Sequence, residues 1–363
     1  MSNPVKPIVT APVSTPFTSG EWPVEELERV PFCPVCGTTG RTILYSNLED
    51  RVFFCAPGSW TLYKCDGCSS AYLNPRPTAQ SISRAYTKYY THSAISVKGE
   101  ESESKRFNHL RKIFKNGYLN SQYGYSAEPS SFFGPVVFSF LREHRSRADR
   151  WVRHLSYPKD NASLLDIGCA NGSFLLTMRE LGWKVQGLDI DPEAISHARQ
   201  AGIPVEEGVL TDKTFPPSSF DAITMNHVIE HLHDPCKVLQ ICYELLRPGG
   251  YMWIATPNMD AEGHRVFGIN WLGLDPPRHL VLFTLQSLKD LLTRIGFKEA
   301  TPSMTFGVAE PIFAHSYTMQ QGRDPFRDLL DLPRNFRQIA KRADATASSK
   351  PQFSEELIVL ARK

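Results

Sequence analysis

Ser163-Leu-Leu-Asp166-Ile-Gly168-Cys-Ala170-Asn171-Gly172-Ser-Phe-Leu-Leu is the stretch on which the fold turns. It reads as a short buried strand, a glycine-rich turn and the start of a helix. Glycine lets the backbone turn tightly and approach a ligand closely. The next apolar run, Trp183-Lys-Val-Gln-Gly-Leu188, is a second strand that ends in Asp189, seventeen positions beyond Gly172. A carboxylate at a strand end accepts hydrogen bonds from ribose hydroxyls in this arrangement.

Two kinds of cofactor use such a turn. A dinucleotide site wants GxGxxG to seat a pyrophosphate on a helix N-terminus. This chain has DxGxAxG, with Asp166 on the strand before the turn. A carboxylate facing the ligand repels pyrophosphate and suits a cation or an ammonium group. S-adenosylmethionine carries a sulfonium and an α-amino group and no phosphate.

At these residues the sequence resembles the class I S-adenosylmethionine methyltransferases. Later motifs agree. Val209-Leu210 after Gly208 look like the pair that sandwiches adenine. The run from Phe215 through Asp221, Asn226, His227, Glu230 and His231 to Pro235 looks like the fourth strand and its following helix. Leu245-Leu-Arg-Pro248-Gly249-Gly250 to Asn258 looks like the turn and fifth strand. The resemblance covers about residues 163–300 plus a last strand, Leu357 to Ala361, and departs from the pattern at Ala170, where glycine is usual. It implies a doubly wound, Rossmann-like α/β fold with a seven-stranded sheet whose last strand is antiparallel. It further implies a cofactor site made of Asp166, Gly168, Ala170, Gly172, Asp189, Ile190, Val209, Leu210 and Asn226.

Four of the eight cysteines form two identical turns, Cys33-Pro-Val-Cys36 and Cys65-Asp-Gly-Cys68, with 28 residues between them. Each turn places two sulfurs on one side of an ion, and two turns complete the tetrahedral shell that Zn²⁺ prefers. Strand-like Thr42–Tyr45 and Trp60–Tyr63 between them predict a zinc ribbon. A thioredoxin-like site calls for one pair beside a βαβ unit instead. A four-cysteine site has no open coordination position, so the zinc is structural. Gly37 and Gly67 are placed where a positive φ is easiest. The layout of knuckles followed by Leu73-Asn-Pro75-Arg76-Pro77 and Tyr86…Tyr89-Tyr90 resembles zinc-ribbon methyltransferases of bacterial polysaccharide and glycan biosynthesis.

The expected organisation is a disordered Pro-, Ser- and Thr-rich lead-in over 1–30, the ribbon over 31–75, a helical connecting region over 76–160 and the cofactor domain over 161–363. A helical, Arg-rich insertion occupies 306–352. Helical patterns are expected from Ser104 to Phe114 and from Val136 to Leu155. In the latter, Arg142, His144, Arg145, Arg147, Arg150 and Arg153 read as a solvated face, with an anionic-substrate or membrane-surface patch as the sharper alternative.

Across 363 residues, 40 Lys and Arg against 38 Asp and Glu leave a net charge of +2, which gives no electrostatic reason for a nucleic-acid partner. No stretch approaches the ~20 apolar residues that cross a bilayer, and Met1 to Gly20 has no secretory pattern. The expected location is the cytoplasm, with peripheral membrane contact compatible.

Methyl transfer to a hydroxyl needs alignment and removal of a proton, a task that suits histidine. The candidates are His279, His231 and His227. His227, Glu230 and His231 fall at i, i+3 and i+4, so a helix there would put all three on one face, where they could hold a divalent metal. Ubiquinone-pathway O-methyltransferases show a similar run with an acid in place of His227, and imidazole softens the donor set away from Mg²⁺. The alternative is that Glu230 and His231 hydrogen-bond the neighbouring loop and shape the pocket. His279, in Asp275-Pro-Pro-Arg278-His279, is the first choice as base, with Arg278 as an anion contact; a loop-anchoring role before Phe283 is the alternative. The expected activity is O-methylation of a sugar hydroxyl in a glycan or an activated sugar. C-methylation of a nucleotide sugar and methylation of ribosomal RNA are the competing readings.

Overall fold

A computed structural model describes residues 20–87, 105–159 and 161–363. In chain order, strands β1 (Leu27–Glu28), β2 (Arg41–Leu48), β3 (Trp60–Cys65), β4 (Ala71–Leu73) and β5 (Arg76–Pro77) precede helices α1 (Lys105–Tyr123), α2 (Gly134–Phe140) and α3 (Arg142–Trp151). An alternating stretch follows: β6 (Ser163–Ile167), α4 (Ser173–Glu180), β7 (Lys184–Asp189), α5 (Pro192–Gln200), β8 (Val205–Glu207), β9 (Phe220–Asn226), α6 (Pro235–Leu245) and β10 (Leu246–Pro257). The chain continues through α7 (Glu262–Phe267), β11 (Val281–Leu282), α8 (Leu285–Ile295), β12 (Lys298–Pro302), α9 (Ala309–Gln320), α10 (Arg334–Ala347) and β13 (Glu356–Arg362).

These elements form two compact units. One holds the described parts of Tyr89–Thr256, with Lys289–Gly307 and Ile358–Lys363. Its seven-stranded sheet runs β12-β13-β10-β9-β6-β7-β8. The pairs β10–β9, β9–β6, β6–β7 and β7–β8 are parallel, and β12 pairs antiparallel with β13. Strand β6 is buried from Leu164 to Ile167 because a central parallel strand is covered on both faces. Helix starts are written locally: the Asp191 carboxylate accepts the Glu193 N–H at 3.0 Å before Pro192 opens α5, and Asp234 accepts the Lys237 N–H at 2.9 Å before Pro235 opens α6.

The other unit joins the described part of Met1–Lys88 to Pro257–Leu288 and Val308–Leu357. Its antiparallel sheet runs β11-β4-β3-β2, and β1 pairs with β5. Its core includes Trp22, Trp60, Leu73, Phe267, Trp271, Leu282 and Phe313, so segments more than 200 residues apart in sequence share one interior.

Several expectations change here. The lead-in lies partly outside the described residues, but from residue 20 it is ordered: Trp22 is buried edge-on against Trp60 at 5.5 Å, and Leu27 pairs with Pro77. The 306–352 segment is helical in part, yet from Val308 it shares a core with residues 22–85 and belongs to their unit rather than to that of the seven-stranded sheet. The helix expected over Val136–Leu155 breaks at Leu141 and ends at Trp151. His227 does not open a helix: it turns at φ 54, its N–H donates to the Ala255 carbonyl at 2.9 Å, and only Ile229–His231 make a 3₁₀ turn.

Candidate cofactor and metal sites

The chain leaves β6 toward β7 and β8 on one side, then crosses to β9 on the other, so the strand order reverses beside β6. Open α/β sheets bind ligands at the carboxyl ends of the strands flanking such a point. Three residues after β6 have positive φ: Gly168 at 71°, Ala170 at 46° and Gly172 at 78°. A Cβ on Gly168 would lie 2.4 Å from Cγ2 of Val228, so only glycine fits. Ala170 keeps its methyl group in the left-handed region, which costs about 1–2 kcal/mol. What holds it there is its N–H, which donates to Oδ2 of Asp189 at 2.7 Å.

Asp189 ends β7. Its Oδ1 accepts the N–H groups of Ile190 at 2.7 Å and Asp191 at 3.0 Å. Burial raises its carboxyl pKa, and these three N–H donors pull in the opposite direction. An ionised carboxylate offers roughly four acceptor positions, so these three bonds leave capacity for a further hydroxyl donor. Gly208 donates its N–H to the Asp189 carbonyl at 2.8 Å, which brings Val209 beside that acid. Ile190 and Val209 are 62% and 70% exposed, an aliphatic pair able to cover a flat heteroaromatic ring. Leu210 is half-buried next to Val209, and Asn226 is exposed at the end of β9.

Asp166 differs from its expected role. Its carboxylate is buried, bonded to the Arg153 guanidinium and accepting the Thr224 hydroxyl at 2.8 Å. Arg153 lies outside α3, turns inward at φ 48, donates to Thr224 Oγ1 at 2.7 Å and stacks 3.6 Å over the Phe174 ring. The charge that the sequence aims at a ligand is therefore matched inside the protein. Arg153, Thr224 and Val228 were missed by sequence reasoning; the basic run hid Arg153 among solvated neighbours, and no local signal marks the other two.

His227 Nδ1 lies 3.1 Å from Oε1 of the fully buried Glu230, whose Oε2 accepts the Thr256 hydroxyl at 3.0 Å. A carboxylate at Nδ1 fixes the tautomer, so the neutral ring carries its lone pair on Nε2. The His227 side chain is partly exposed at the carboxyl end of β9. His231 closes the 3₁₀ turn.

His279 and Arg278 fall in the other unit. His279 donates Nδ1–H to the Gly273 carbonyl at 2.8 Å, again leaving Nε2 as the basic nitrogen. Arg278 is not an anion contact awaiting a ligand. It is fully buried between Asp50 and Asp275, bonds the Ala85 carbonyl at 2.9 Å and lies over the Phe53 ring. Burial alone would raise the Asp50 carboxyl; Arg278 and the N–H groups of Cys55 and Ala56 hold it down at about 2.

Cys33, Cys36, Cys65 and Cys68 bring their sulfurs within 4.8 Å of one another. The closest pairs are Cys33–Cys68 at 3.7 Å and Cys36–Cys65 at 3.4 Å. Zn–S bonds of about 2.3 Å in a tetrahedron require S···S separations of about 3.8 Å, so the cluster fits the ion. The knuckles are alike: Gly37 N–H donates to the Cys33 carbonyl at 2.9 Å and Ser69 N–H to that of Cys65 at 3.0 Å. Each closes in the left-handed region at its fifth residue, so the second positive φ belongs to Ser69 and not to Gly67. Gly67 answers to space, since a Cβ there would meet Thr38 Oγ1 at 2.6 Å.

Residues 140–300 match a family described as a methyltransferase domain. The unit with the seven-stranded sheet has a doubly wound, Rossmann-like α/β fold, with a glycine turn after the central strand β6. Among curated relatives, a ubiquinone biosynthesis O-methyltransferase of Paraburkholderia phymatum is 33% identical over 108 residues, 28% of this chain and 47% of the relative. One from Caulobacter vibrioides is 34% identical over 141 residues, 36% of this chain and 54% of the relative. The chain thus spans about half the length of the curated relatives it matches. A solved S-adenosylmethionine-dependent methyltransferase from Archaeoglobus fulgidus superposes with a TM-score of 0.43 at 22% identity, covering 62% of this chain and all of the other.

Proposed function

We propose that the protein is an S-adenosylmethionine-dependent O-methyltransferase. The observation that carries the reading is Asp189: a half-buried carboxylate fixed by three N–H groups, beside a glycine turn at the point where strand order reverses. In this reading Asp189 accepts the ribose hydroxyls, Ile190, Val209 and Leu210 cover the adenine, and the backbone from Gly168 to Gly172 with Asn226 borders the rest of the cofactor. S-adenosylmethionine, when bound, supplies an electrophilic methyl group on a sulfonium. The family match and the relatives' names support methyl transfer to oxygen.

The hydroxyl proton goes to a histidine. The Glu230–His227 pair has the arrangement of an oriented base, in the same unit as the glycine turn. His279 remains the rival, with His231 as a positioning group. His227→Ala should lower turnover by roughly 10²- to 10⁴-fold with cofactor affinity unchanged; a loss seen only in His279→Ala reassigns the base. The acceptor is proposed to be a sugar hydroxyl of a glycan or activated sugar, supported by the zinc-ribbon layout. Transfer of labelled methyl groups to sugar nucleotides or oligosaccharides supports it; transfer confined to phenolic acceptors moves the reading to the relatives' chemistry.

The four cysteines are proposed to hold one structural Zn²⁺. The chain is proposed to work in the reducing cytoplasm, where cysteines set to hold zinc stay reduced, and no described helix is long and apolar enough to cross a membrane.

A further inference from the structure

Helix α2 and the chain leading into it present an apolar face that the proposed activity does not use. Phe132 and Phe140 are 82% and 83% exposed, and Phe133, Val136 and Leu141 are exposed with them. Phe132 and Phe133 lie with ring centroids 3.8 Å apart. Isolated exposed hydrophobes are ordinary, but five within ten residues form a patch.

The patch is held rigidly from behind. Phe138, on the opposite face of α2, stacks on Tyr118 of α1 at 5.0 Å. The backbones of α1 and the α2 hairpin touch through two glycines: a Cβ on Gly134 would lie 2.4 Å from the Tyr118 nitrogen, and one on Gly117 would lie 1.8 Å from the Ser131 carbonyl oxygen. Asn116 ties the approach by donating to the Pro129 carbonyl at 2.9 Å. The hairpin is packed against α1 while its outer side chains stay in water.

Charge around the patch is mostly basic. Residues 108–151 carry seven Lys and Arg against three Asp and Glu, in a chain whose net charge is only +2. Glu143 pairs with Arg147 at 2.5 Å and Asp149 with Arg145 at 3.9 Å, so two of the three acids are already matched to basic residues. Lys112, Arg142, Arg145 and Arg147 are exposed. Projecting aromatic and aliphatic side chains amid basic residues are the signature of a surface that enters the headgroup region of an anionic bilayer. A second copy of the chain would bring like charges together, which disfavours self-association through this face.

We propose that the α2 hairpin docks the protein peripherally on anionic lipid membranes, with Phe132, Val136 and Phe140 entering the interface and the α3 arginines meeting lipid headgroups. The test uses the full chain and sedimentation with vesicles of phosphatidylcholine containing about one quarter phosphatidylglycerol, against vesicles of phosphatidylcholine alone. The expected result is co-sedimentation with the anionic vesicles, weakened by high salt and by their neutral counterparts. The F132S/F140S variant should lose at least about tenfold in partitioning while its melting temperature and S-adenosylhomocysteine binding stay unchanged, since neither side chain is buried. R142E/R147E should lose the preference for anionic lipid as a second, independent variant. Absence of vesicle binding by the wild-type protein, or binding undiminished in F132S/F140S, overturns the proposal. So does a concentration-dependent dimer in analytical ultracentrifugation that F132S/F140S dissociates and that excludes vesicles; the face would then join two copies.

Discussion

Replacing Arg153 with methionine should destabilise the unit that carries the glycine turn. Methionine retains much of the apolar stem over Phe174 and removes the guanidinium that neutralises Asp166. Both side chains are nearly sealed from water, at 9% and 1% exposed, and Oδ2 of Asp166 has no hydrogen-bond partner. Removing one member of a buried pair leaves an uncompensated charge, a loss of about 3–5 kcal/mol. At about 2–4 °C per kcal/mol for a unit of this size, the melting temperature should fall by on the order of 10 °C at neutral pH. Asp166 can relieve part of the cost by taking up a proton. Burial already raises its pKa, and Arg153 is the main influence holding it down. In the variant the folded-state pKa therefore lies further above the unfolded value of about 3.9, and stability is lost as pH rises through the folded value. The deficit should accordingly be largest at neutral pH and shrink toward pH 4. R153M/D166N removes both charges and should recover most of the loss. Melting of R153M within 2 °C of the wild type at neutral pH, or a deficit indifferent to pH, would refute the reasoning.

Three further outcomes are expected. Ala170→Gly relieves a left-handed alanine whose N–H bond to Asp189 survives, so unfolding should become about 1 kcal/mol less favourable, offset partly by the more flexible unfolded chain; a large destabilisation in a denaturant titration would contradict this. Glu355 is buried, accepts the Gly263 N–H at 2.7 Å and Trp271 Nε1–H at 3.3 Å, and is pushed up to about 7, chiefly by burial. Because its folded pKa is raised, its contribution is complete below about pH 4.3 and declines as pH rises through 7, so Glu355→Gln should flatten the stability profile between pH 5 and 8; an unchanged slope would remove Glu355 from the account. Protein purified without added metal should contain about one equivalent of zinc, lost in Cys33→Ser/Cys65→Ser, and a well-folded zinc-free preparation would exclude the ion.

Features written in adjacent residues were legible before the structure. The turn from Asp166 to Gly172, the strand ending in Asp189 and the paired knuckles each depend on a few neighbouring positions, where glycine, a short apolar run or a repeated spacing restricts the backbone. Arg278 sits among neighbours that suggest an open loop, while Asp50, which encloses it together with Asp275, is 228 residues away. His227 was placed on a helix by its spacing from Glu230, but a bond to the Ala255 carbonyl of β10 turns it out of helical geometry. Arg153 follows a basic helix in sequence and leaves it in space, one left-handed residue beyond the last turn. In each case a long-range partner outweighs the local pattern, as tertiary context commonly does.

The cofactor assignment can be tested without knowing the acceptor, by titrating the full chain with S-adenosylhomocysteine and, separately, with NAD⁺ in a calorimeter. The account predicts saturable one-to-one binding of S-adenosylhomocysteine, weakened at least about tenfold in Asp189→Ala by loss of charged hydrogen bonds, and no heat from NAD⁺. Binding of NAD⁺ in its place, or S-adenosylhomocysteine binding that is indifferent to Asp189, would contradict it.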